Sequence, residues 1–170
     1  PGHMKKAREL VEANLKLVDV VVELLDARIP AASANPMLRE IVADKPRIVA
    51  LNKRDLADEK MTKRWLDYFC AHELPAVALD SVTGKGTREL LALIEKAARY
   101  RTERLVAKGV AARKARVMIL GIPNVGKSSL INRLAGAAKA RTADKPGVTR
   151  AKQWIRIGAD VDLLDTPGIL

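Results

Sequence analysis

The segment at 121–128, "GIPNVGKS", constrains the fold of this chain more than any other feature. Its glycines, lysine and serine fit the spacing G-x-x-x-x-G-K-[ST], which is typical of a loop that binds nucleotide phosphates. The apolar run at 115–121 leads into it, and a helical pattern at 128–134 follows. Such a loop needs a strand before it and a helix N-terminus after it, because backbone N–H groups must converge on phosphate. We therefore expect an α/β fold that binds a nucleoside triphosphate.

The rest of the chain alternates strand and helix patterns. The apolar and β-branched runs that predict strands cover 18–27, 46–52, 75–80, 115–121, 152–158 and 161–165, the last two forming a hairpin. Helical patterns cover 5–17, 35–43, a segment capped by Asp58, 87 to about 108, and 128–134. Strands separated by helices predict a mostly parallel sheet with helices on both faces. Ligands of such sheets bind at the carboxyl ends of the strands.

Several residues of the phosphate-binding loop have expected roles in nucleotide binding. Lys127 is expected to reach the β- and γ-phosphates, and the Ser128 hydroxyl to bind Mg²⁺. The glycine at 126 lets the backbone fold closely around phosphate oxygens. The backbone N–H groups that would converge on these oxygens belong to Asn124, Val125, Gly126, Lys127, Ser128 and Ser129.

A second motif, "DTPG" at 165–168, follows the last predicted strand. Asp165 is expected to hold Mg²⁺ through a water molecule, and the N–H of Gly168 to contact the γ-phosphate. The pattern D-x-x-G alone is often only a turn, and the phosphate-binding loop upstream is what gives it weight.

Base recognition is predicted upstream, in "LNKRD" at 51–55. The Asp55 carboxylate can accept hydrogen bonds from N1–H and the 2-amino group of guanine, which adenine lacks, so discrimination can be large. Asn52 is expected to contact the other edge of the base, and the stem of Lys53 to lie over the purine plane, with Arg54 in the same loop. The segment that begins Asp80, Ser81, Val82 is expected to offer the N–H groups of Ser81 and Val82 to guanine O6.

The motifs occur in an unusual order, with the guanine-reading loops before the phosphate-binding loop. This order indicates a circularly permuted P-loop NTPase fold of the Ras-like type, in which the helix from 87 joins the original last strand to the original first strand. Permutation is physically reasonable, because the termini of a domain often lie close together.

The chain resembles the circularly permuted GTPases, and most closely the ribosome biogenesis GTPase A family. The segments that carry this resemblance are "PGHMKKAR" (1–8), "DARIP" (26–30), "NP" (35–36), "LNKRD", "GIPNVGKSSLINRL" (121–134), "KPGVTRAKQW" (145–154) and "LLDTPGIL" (163–170). The resemblance implies a cytoplasmic, monomeric GTPase that acts late in large-subunit assembly and binds 23S-type ribosomal RNA. It also implies slow GTP hydrolysis that the ribosomal particle stimulates, with GTP or GDP, Mg²⁺ and K⁺ as ligands. Residues 1–170 would form the GTPase domain, with an N-terminal helix segment at 1–17, and the helical C-terminal domain of the family would lie outside this chain.

The resemblance adds further site residues. Many GTPases orient the attacking water with a glutamine after D-x-x-G, but Ile169 stands here and cannot do so. The family pattern points to His3 as the catalytic replacement, with a ribosome contact as the alternative. Asn124 would help to hold K⁺ near the phosphates, or else stabilise its own loop. Thr149 fits the Mg²⁺-binding threonine of a switch loop better than Thr142 does.

The net charge of +11, from 31 Lys and Arg against 20 Asp and Glu, favours a polyanionic partner such as RNA. Aromatic residues make up only 3%, which disfavours a base-stacking platform. Cys70 is the only cysteine, which excludes disulfides within the chain and fits a reducing cytoplasm. No apolar run approaches the roughly 20 residues of a membrane helix. A basic tract suits RNA contact or a solvated surface equally: Arg99, Arg101, Arg104, Lys108, Arg113, Lys114 and Arg116.

Three questions stay open from the sequence. Arg28 suits RNA contact, a brace for a switch loop, or a structural ion pair with Asp26. A GTP-dependent RNA-binding module with negligible hydrolysis is one rival function, because Ile169 replaces glutamine. A permuted GTPase of small-subunit assembly is another, although an accompanying Cys/His zinc site is not available in a chain with one cysteine and two histidines.

Overall fold

The computed structural model describes residues 2–34, 36–42, 45–122, 125–136, 153–158 and 160–165. Its helices are α1 (Gly2–Leu15), α2 (Pro30–Ser33), α3 (Pro36–Ile41), α4 (Glu59–Ala71), α5 (Thr87–Ala107) and α6 (Lys127–Ala135). Its strands are β1 (Val20–Asp26), β2 (Arg47–Asn52), β3 (Ala76–Ala78), β4 (Ala115–Leu120), β5 (Gln153–Gly158) and β6 (Val161–Asp165).

The six strands form one sheet in the order β3-β2-β1-β4-β6-β5. Every neighbouring pair is parallel except β5 and β6, which form the expected antiparallel hairpin. The strands β1 and β4 are neighbours in the middle of the sheet, with Val20 opposite Val117. This confirms the predicted α/β fold, and it places the phosphate-binding loop after a central strand.

Helices cover both faces of the sheet. On one face, Leu90 and Ile94 of α5 and Leu130 of α6 pack against alternate strand residues such as Val22 and Ile119. On the other face, α1 packs against β1, β4 and β6, and α4 packs against β1, β2 and β3. All seven residues of β1 are buried. Burial on both faces explains why this strand lacks the apolar–polar alternation of a half-exposed strand.

The buried faces of α1 and α4 leave some of their apolar residues exposed. On α1, Val11 and Leu15 are buried but Leu10 is 45% exposed. On α4, Asp58 caps the helix as predicted, accepting hydrogen bonds from the N–H groups of Lys60 and Met61. The buried residues of α4 are Thr62 and Phe69, and two apolar residues of the same helix, Met61 and Cys70, are exposed.

The segment before β4 is tied to the amino end of β1. The guanidinium of Arg113 donates to both carboxylate oxygens of Asp19, at 2.9 and 3.0 Å. The N–H of Arg116 donates to the same carboxylate at 2.9 Å. The segment at 109–114, which we call the joint before β4, is therefore anchored near its C-terminal end. Within the described part of the chain, no helix has the length and apolar character to cross a membrane.

Candidate functional site

The carboxyl ends of four strands bring the predicted motifs to one edge of the sheet. The strand β2 ends at Asn52, β4 leads into Gly121, and β6 ends at Asp165. The short strand β3 leads into the loop that contains Ser81, and β1 ends between β2 and β4. Sites in open α/β sheets lie at this edge, because loops from both sides of a central strand diverge there.

The side chain of Asn52 joins three of these loops. Its Nδ2 donates to the carbonyl oxygen of Val125 at 2.7 Å and to the Oγ of Ser81 at 3.0 Å. Its Oδ1 accepts from the N–H of Ser81 at 3.0 Å. Both amide hydrogens of Asn52 are thus bonded within the protein. Asn52 therefore braces the base-side loop against the phosphate-side loop, and its expected contact with guanine stays a prediction.

The Asn52 side chain lies so close to the backbone at position 126 that only glycine fits there. Its φ of +92° lies in the left-handed region, and an added Cβ would fall 2.2 Å from Nδ2 of Asn52. No side chain caps the N-terminus of α6 at this glycine. The first N–H groups of a helix lack partners within the helix and attract anions. The loop therefore fits a phosphate group, as the sequence predicts.

Lys127 and Asp165 are close enough to interact electrostatically. Burial lowers the pKa of Lys127, and the negative charge of Asp165 opposes that shift. The hydroxyl-bearing Ser128 lies exposed in the first turn of α6, and Ser129 follows it, half-buried. One carboxylate, one hydroxyl and a phosphate-binding helix end suit Mg²⁺, which is held by few protein ligands together with substrate phosphates and water. The described residues contain no group of three or more His, Cys, Asp or Glu side chains that could hold a metal ion.

On the base side, the carboxyl groups of Asp55 and Asp80 lie within hydrogen-bonding range of each other. The N–H of Val82 donates to Oδ1 of Asp80 at 2.9 Å, and this bond, followed by the Asp55 contact, lowers the pKa of Asp80. The N–H groups of Ser81 and Val82, expected to be open to guanine O6, are instead bonded to Asn52 and Asp80. Asp55 itself is exposed at the edge of the site.

Arg54 has a local role that differs from a direct ligand contact. Its N–H donates to the carbonyl oxygen of Leu79 at 3.1 Å, and its guanidinium reaches the carbonyl oxygen of Ala78 at 3.4 Å. The residue therefore ties the loop after β2 to the end of β3. This attachment fixes the position from which Asp55 would reach a base.

Arg133 of α6 is a site residue that the motifs did not reveal. Its Nε donates to the carbonyl oxygen of Ser81 at 3.2 Å, and its Nη2 donates to that of Val82. An added Cβ on Gly84 would lie 3.4 Å from its Nη1. The helix that presents the phosphate-binding N–H groups thus also supports the loop on the base side.

The strand β1 ends in an ion cluster around the buried carboxylate of Asp26. Asp26 accepts from Nε and Nη2 of Arg28 at 3.0 and 2.8 Å, and from the Arg28 N–H at 2.9 Å. Lys53 Nζ lies 3.6 Å from Asp26 Oδ2. These contacts, led by the Arg28 side chain, lower the pKa of Asp26 from 3.8 to about 2. Of the three alternatives left open for Arg28, the structure supports the ion pair.

His3 lies exposed in the first turn of α1. A four-residue connection links the C-terminal end of α1 to the start of β1. The helix therefore lies antiparallel to β1, and its N-terminal end is near the carboxyl ends of the strands. Its 14 residues span about 21 Å at 1.5 Å per residue, close to the length of β1. The N-terminal end of α1 is therefore at the same end of the sheet as the site, and a catalytic role for His3 stays a prediction. The predicted Asn124, Thr149, Gly168, Thr142 and Ile169 lie outside the described residues.

Known proteins share this arrangement. A family model described as "50S ribosome-binding GTPase" matches residues 116–170. The whole chain is 51% identical over 170 residues to a ribosome biogenesis GTPase A from Bacillus cereus, of which it covers 57%. The chain belongs to the ribosome biogenesis GTPase A family. It carries a GTPase domain with a circularly permuted P-loop NTPase fold.

Two solved structures resemble this GTPase domain. The GNP-bound YlqF from T. maritima has a TM-score of 0.68 and 33% identity, over 97% of this chain and 58% of that chain. The GDP-bound structure has a TM-score of 0.61 and 32% identity, over 95% of this chain and 58% of that one. The chain thus spans less than two thirds of the length of these relatives.

Proposed function

We propose that this chain is the guanine-nucleotide-binding and GTP-hydrolysing part of a factor that assembles the large ribosomal subunit. The observation that carries the proposal is the Asn52 bridge to Val125 and Ser81, which holds an N-K-x-D loop against a phosphate-binding loop. A protein that reads both guanine and phosphates needs these two loops in one rigid unit. The names of the relatives and of the matching family model support ribosome assembly as the setting.

Hydrolysis would follow the chemistry of P-loop GTPases, in which positioning and charge stabilisation dominate. Lys127 would neutralise charge on the β- and γ-phosphates, and the N–H groups at the start of α6 would orient them. Ser128 and Asp165 would hold Mg²⁺, with Thr149 joining when GTP is bound; the ion supplies charge neutralisation on the phosphate oxygens. K⁺ held with the help of Asn124 would add positive charge near the same oxygens.

The choice of guanine rests on Asp55. Its carboxylate would accept from N1–H and the 2-amino group of the base. An adenine would cover the carboxylate without offering it these donors, and a carboxylate that loses water without gaining a partner is costly.

If His3 is catalytic, the ribosomal particle is expected to position it. His3 is exposed on α1, and exposure leaves an imidazole free to be positioned by another surface. The ribosomal particle would place His3 against the attacking water, which accounts for slow hydrolysis alone and faster hydrolysis when bound. The positive charge of +11 supports attraction to the phosphates of ribosomal RNA.

The decisive experiment is multiple-turnover phosphate release from GTP, alone and with each purified ribosomal subunit. We expect slow release that rises with the large subunit and not with the small one. His3→Ala should abolish the stimulation, whereas Lys6→Ala, in the same exposed turn of the helix, should retain it. Replacing K⁺ by Na⁺ should lower the rate.

Two outcomes would favour the rivals. Tight GTP binding with no phosphate release under any condition would support a non-hydrolysing RNA-binding switch. Stimulation by the small subunit alone would support small-subunit assembly. Stimulation that survives His3→Ala would remove the catalytic role of His3 without affecting the assignment of the GTPase.

A further inference from the structure

Asp26 lies beside the loop expected to read guanine, in the middle of the sheet. It is the last residue of β1 and is in register with Asn52, the last residue of β2. The N–H of Ala27 donates to the carbonyl oxygen of Asn52 at 2.7 Å, which joins the two strand ends. Asp26 is only 4% exposed, so the position of its carboxylate is fixed by the surrounding residues.

The carboxylate has more partners than a simple ion pair requires. Arg28 already bonds to both of its oxygens and supplies a backbone N–H as well. Lys53 adds a second cation, with Nζ 3.6 Å from the Oδ2 atom that also accepts from Arg28. A role limited to the turn after β1 explains the Arg28 contacts. It does not explain why the ammonium of the N-K-x-D lysine is directed to the same atom.

The backbone of Lys53 is also held in a particular conformation. Its φ of 64° and ψ of 36° are left-handed, which is uncommon for a residue with a side chain. Such a conformation persists only where the surroundings fix it. The N–H of Arg54 bonds to the carbonyl oxygen of Leu79, and the N–H of Leu56 bonds to that of Lys53. The Lys53 stem is therefore held at its backbone end by the loop and at its ammonium end by Asp26.

We propose that Asp26 is a positioning residue that holds the Lys53 side chain in the orientation that binds the guanine ring. The inference rests on the guanine-nucleotide binding proposed above. A lysine loses considerable rotamer freedom when its stem packs against a ligand. Asp26 fixes the ammonium before nucleotide binds, so less side-chain entropy is lost on binding. The aliphatic stem of Lys53 is then already extended between β2 and β1 when the purine binds.

The test compares the affinity of variants for GDP and their steady-state kinetics with GTP. Asp26→Asn keeps the size of the side chain but cannot hold an ammonium group. Its Kd for GDP should rise about three- to tenfold, the range for one side chain that must be ordered on binding. KM for GTP should rise with it while kcat changes less than about twofold, because the side-chain contacts that the structure gives Asp26 are with Arg28 and Lys53, neither of which belongs to the phosphate-binding loop. Asp26→Glu should recover part of the affinity.

A double-mutant cycle separates positioning from stability. Lys53→Met keeps an apolar stem and removes the ammonium, so it should weaken GDP binding about as much as Asp26→Asn. In the Lys53→Met background, Asp26→Asn should then have little further effect. Arg28→Gln should weaken GDP binding less than Asp26→Asn, since the carboxylate and Lys53 remain. Glu12→Gln, which breaks an exposed pair with Arg8 on α1, serves as a control that leaves GDP affinity unchanged.

The outcomes are distinct. A wild-type chain that fails to bind GDP overturns both the proposed function and this inference. A wild-type chain that binds GDP, with Asp26→Asn equal to it or with additive effects of Asp26→Asn and Lys53→Met, overturns this inference alone. An effect of Arg28→Gln as large as that of Asp26→Asn also overturns it, because the cluster would then support only the turn. Thermal melting of each variant verifies that it is folded at the assay temperature.

Discussion

The Nδ2 atom of Asn52 donates to the carbonyl oxygen of Val125 at 2.7 Å, although 73 residues separate the two in sequence. Asn52 belongs to a loop that precedes the phosphate-binding loop in sequence. The hydrogen bond connects these two loops where they meet at one edge of the sheet, at the carboxyl ends of the strands. Geometry at that edge, and not the order of the motifs, determines whether the site forms. The permutation is therefore compatible with one connected nucleotide site.

Gly126→Ala should disrupt this connection directly. The new Cβ would fall 2.2 Å from Nδ2 of Asn52 at a φ of +92°, so Asn52 must move and lose its bonds to Val125 and Ser81. We expect the free energy of unfolding to fall by about 3 kcal/mol, from backbone strain and buried groups left without partners. The Kd for GDP should rise at least about thirtyfold. Denaturant unfolding and GDP titration measure the two effects.

Gly109→Ala is the matched control for that variant. Gly109 has a similar φ of +88°, but an added Cβ would meet nothing within 4 Å. This substitution should cost only the backbone term, about 1 kcal/mol, and leave the Kd for GDP unchanged. If the two variants reduced GDP affinity equally, the close approach of Asn52 would not be what requires a glycine at 126.

The sequence predicted most of the fold because the signals are local. Buried strands such as β1 and β4 have continuous apolar runs, and Asp58 is a recognisable helix cap before α4. The phosphate-binding and N-K-x-D motifs predicted which strand ends meet. Each motif has a spacing that requires a particular loop conformation directly after a strand. In a parallel sheet the ends of all these strands lie at one edge, so the motifs that follow them come together.

The sequence did not predict the contacts that hold the site together. Arg133 resembles any arginine on an exposed helix face, and its bonds to the carbonyl oxygens of Ser81 and Val82 depend on how α6 packs beside the loop after β3. The three-way bonding of Asn52 also depends on tertiary placement. A motif predicts which side chain is present but not its partners within the protein, so the bonds of Asn52 to Val125 and Ser81 could not be read from the N-K-x-D pattern.

Arg133→Met should loosen the loop on the base side. The substitution keeps an apolar stem and removes the bonds to two backbone carbonyl oxygens. We expect the Kd for GDP to rise about fivefold, corresponding to about 1 kcal/mol for the lost hydrogen bonds. Arg133→Lys should recover part of the affinity. Arg104→Met, which removes a hydrogen bond to the Tyr100 hydroxyl on α5, should not change it; a loss as large as that of Arg133→Met would indicate a general charge effect.

The stability of the domain should depend on pH through Asp26. Its pKa is lowered from 3.8 to about 2, chiefly by Arg28. The folded state therefore gains stability that is fully present above about pH 4 and is lost as pH falls toward 2. The shift corresponds to about 2 kcal/mol. The difference in unfolding free energy between wild type and Asp26→Asn should shrink by about this amount between pH 5 and pH 2; a difference that stays constant would contradict the ion pair.

Arg113→Met should destabilise the joint before β4 without affecting the nucleotide site. Arg113 bonds to both oxygens of Asp19, which is 2% exposed and lies at the opposite edge of the sheet. Its removal leaves a buried carboxylate with fewer donors, so unfolding free energy should fall by about 2 kcal/mol. Arg156→Met, which breaks an exposed pair with Asp162, should cost under about 1 kcal/mol. Because the joint replaces the original chain termini, GDP affinity of the folded Arg113→Met chain should equal that of wild type, and reduced affinity would show that the joint and the site are coupled.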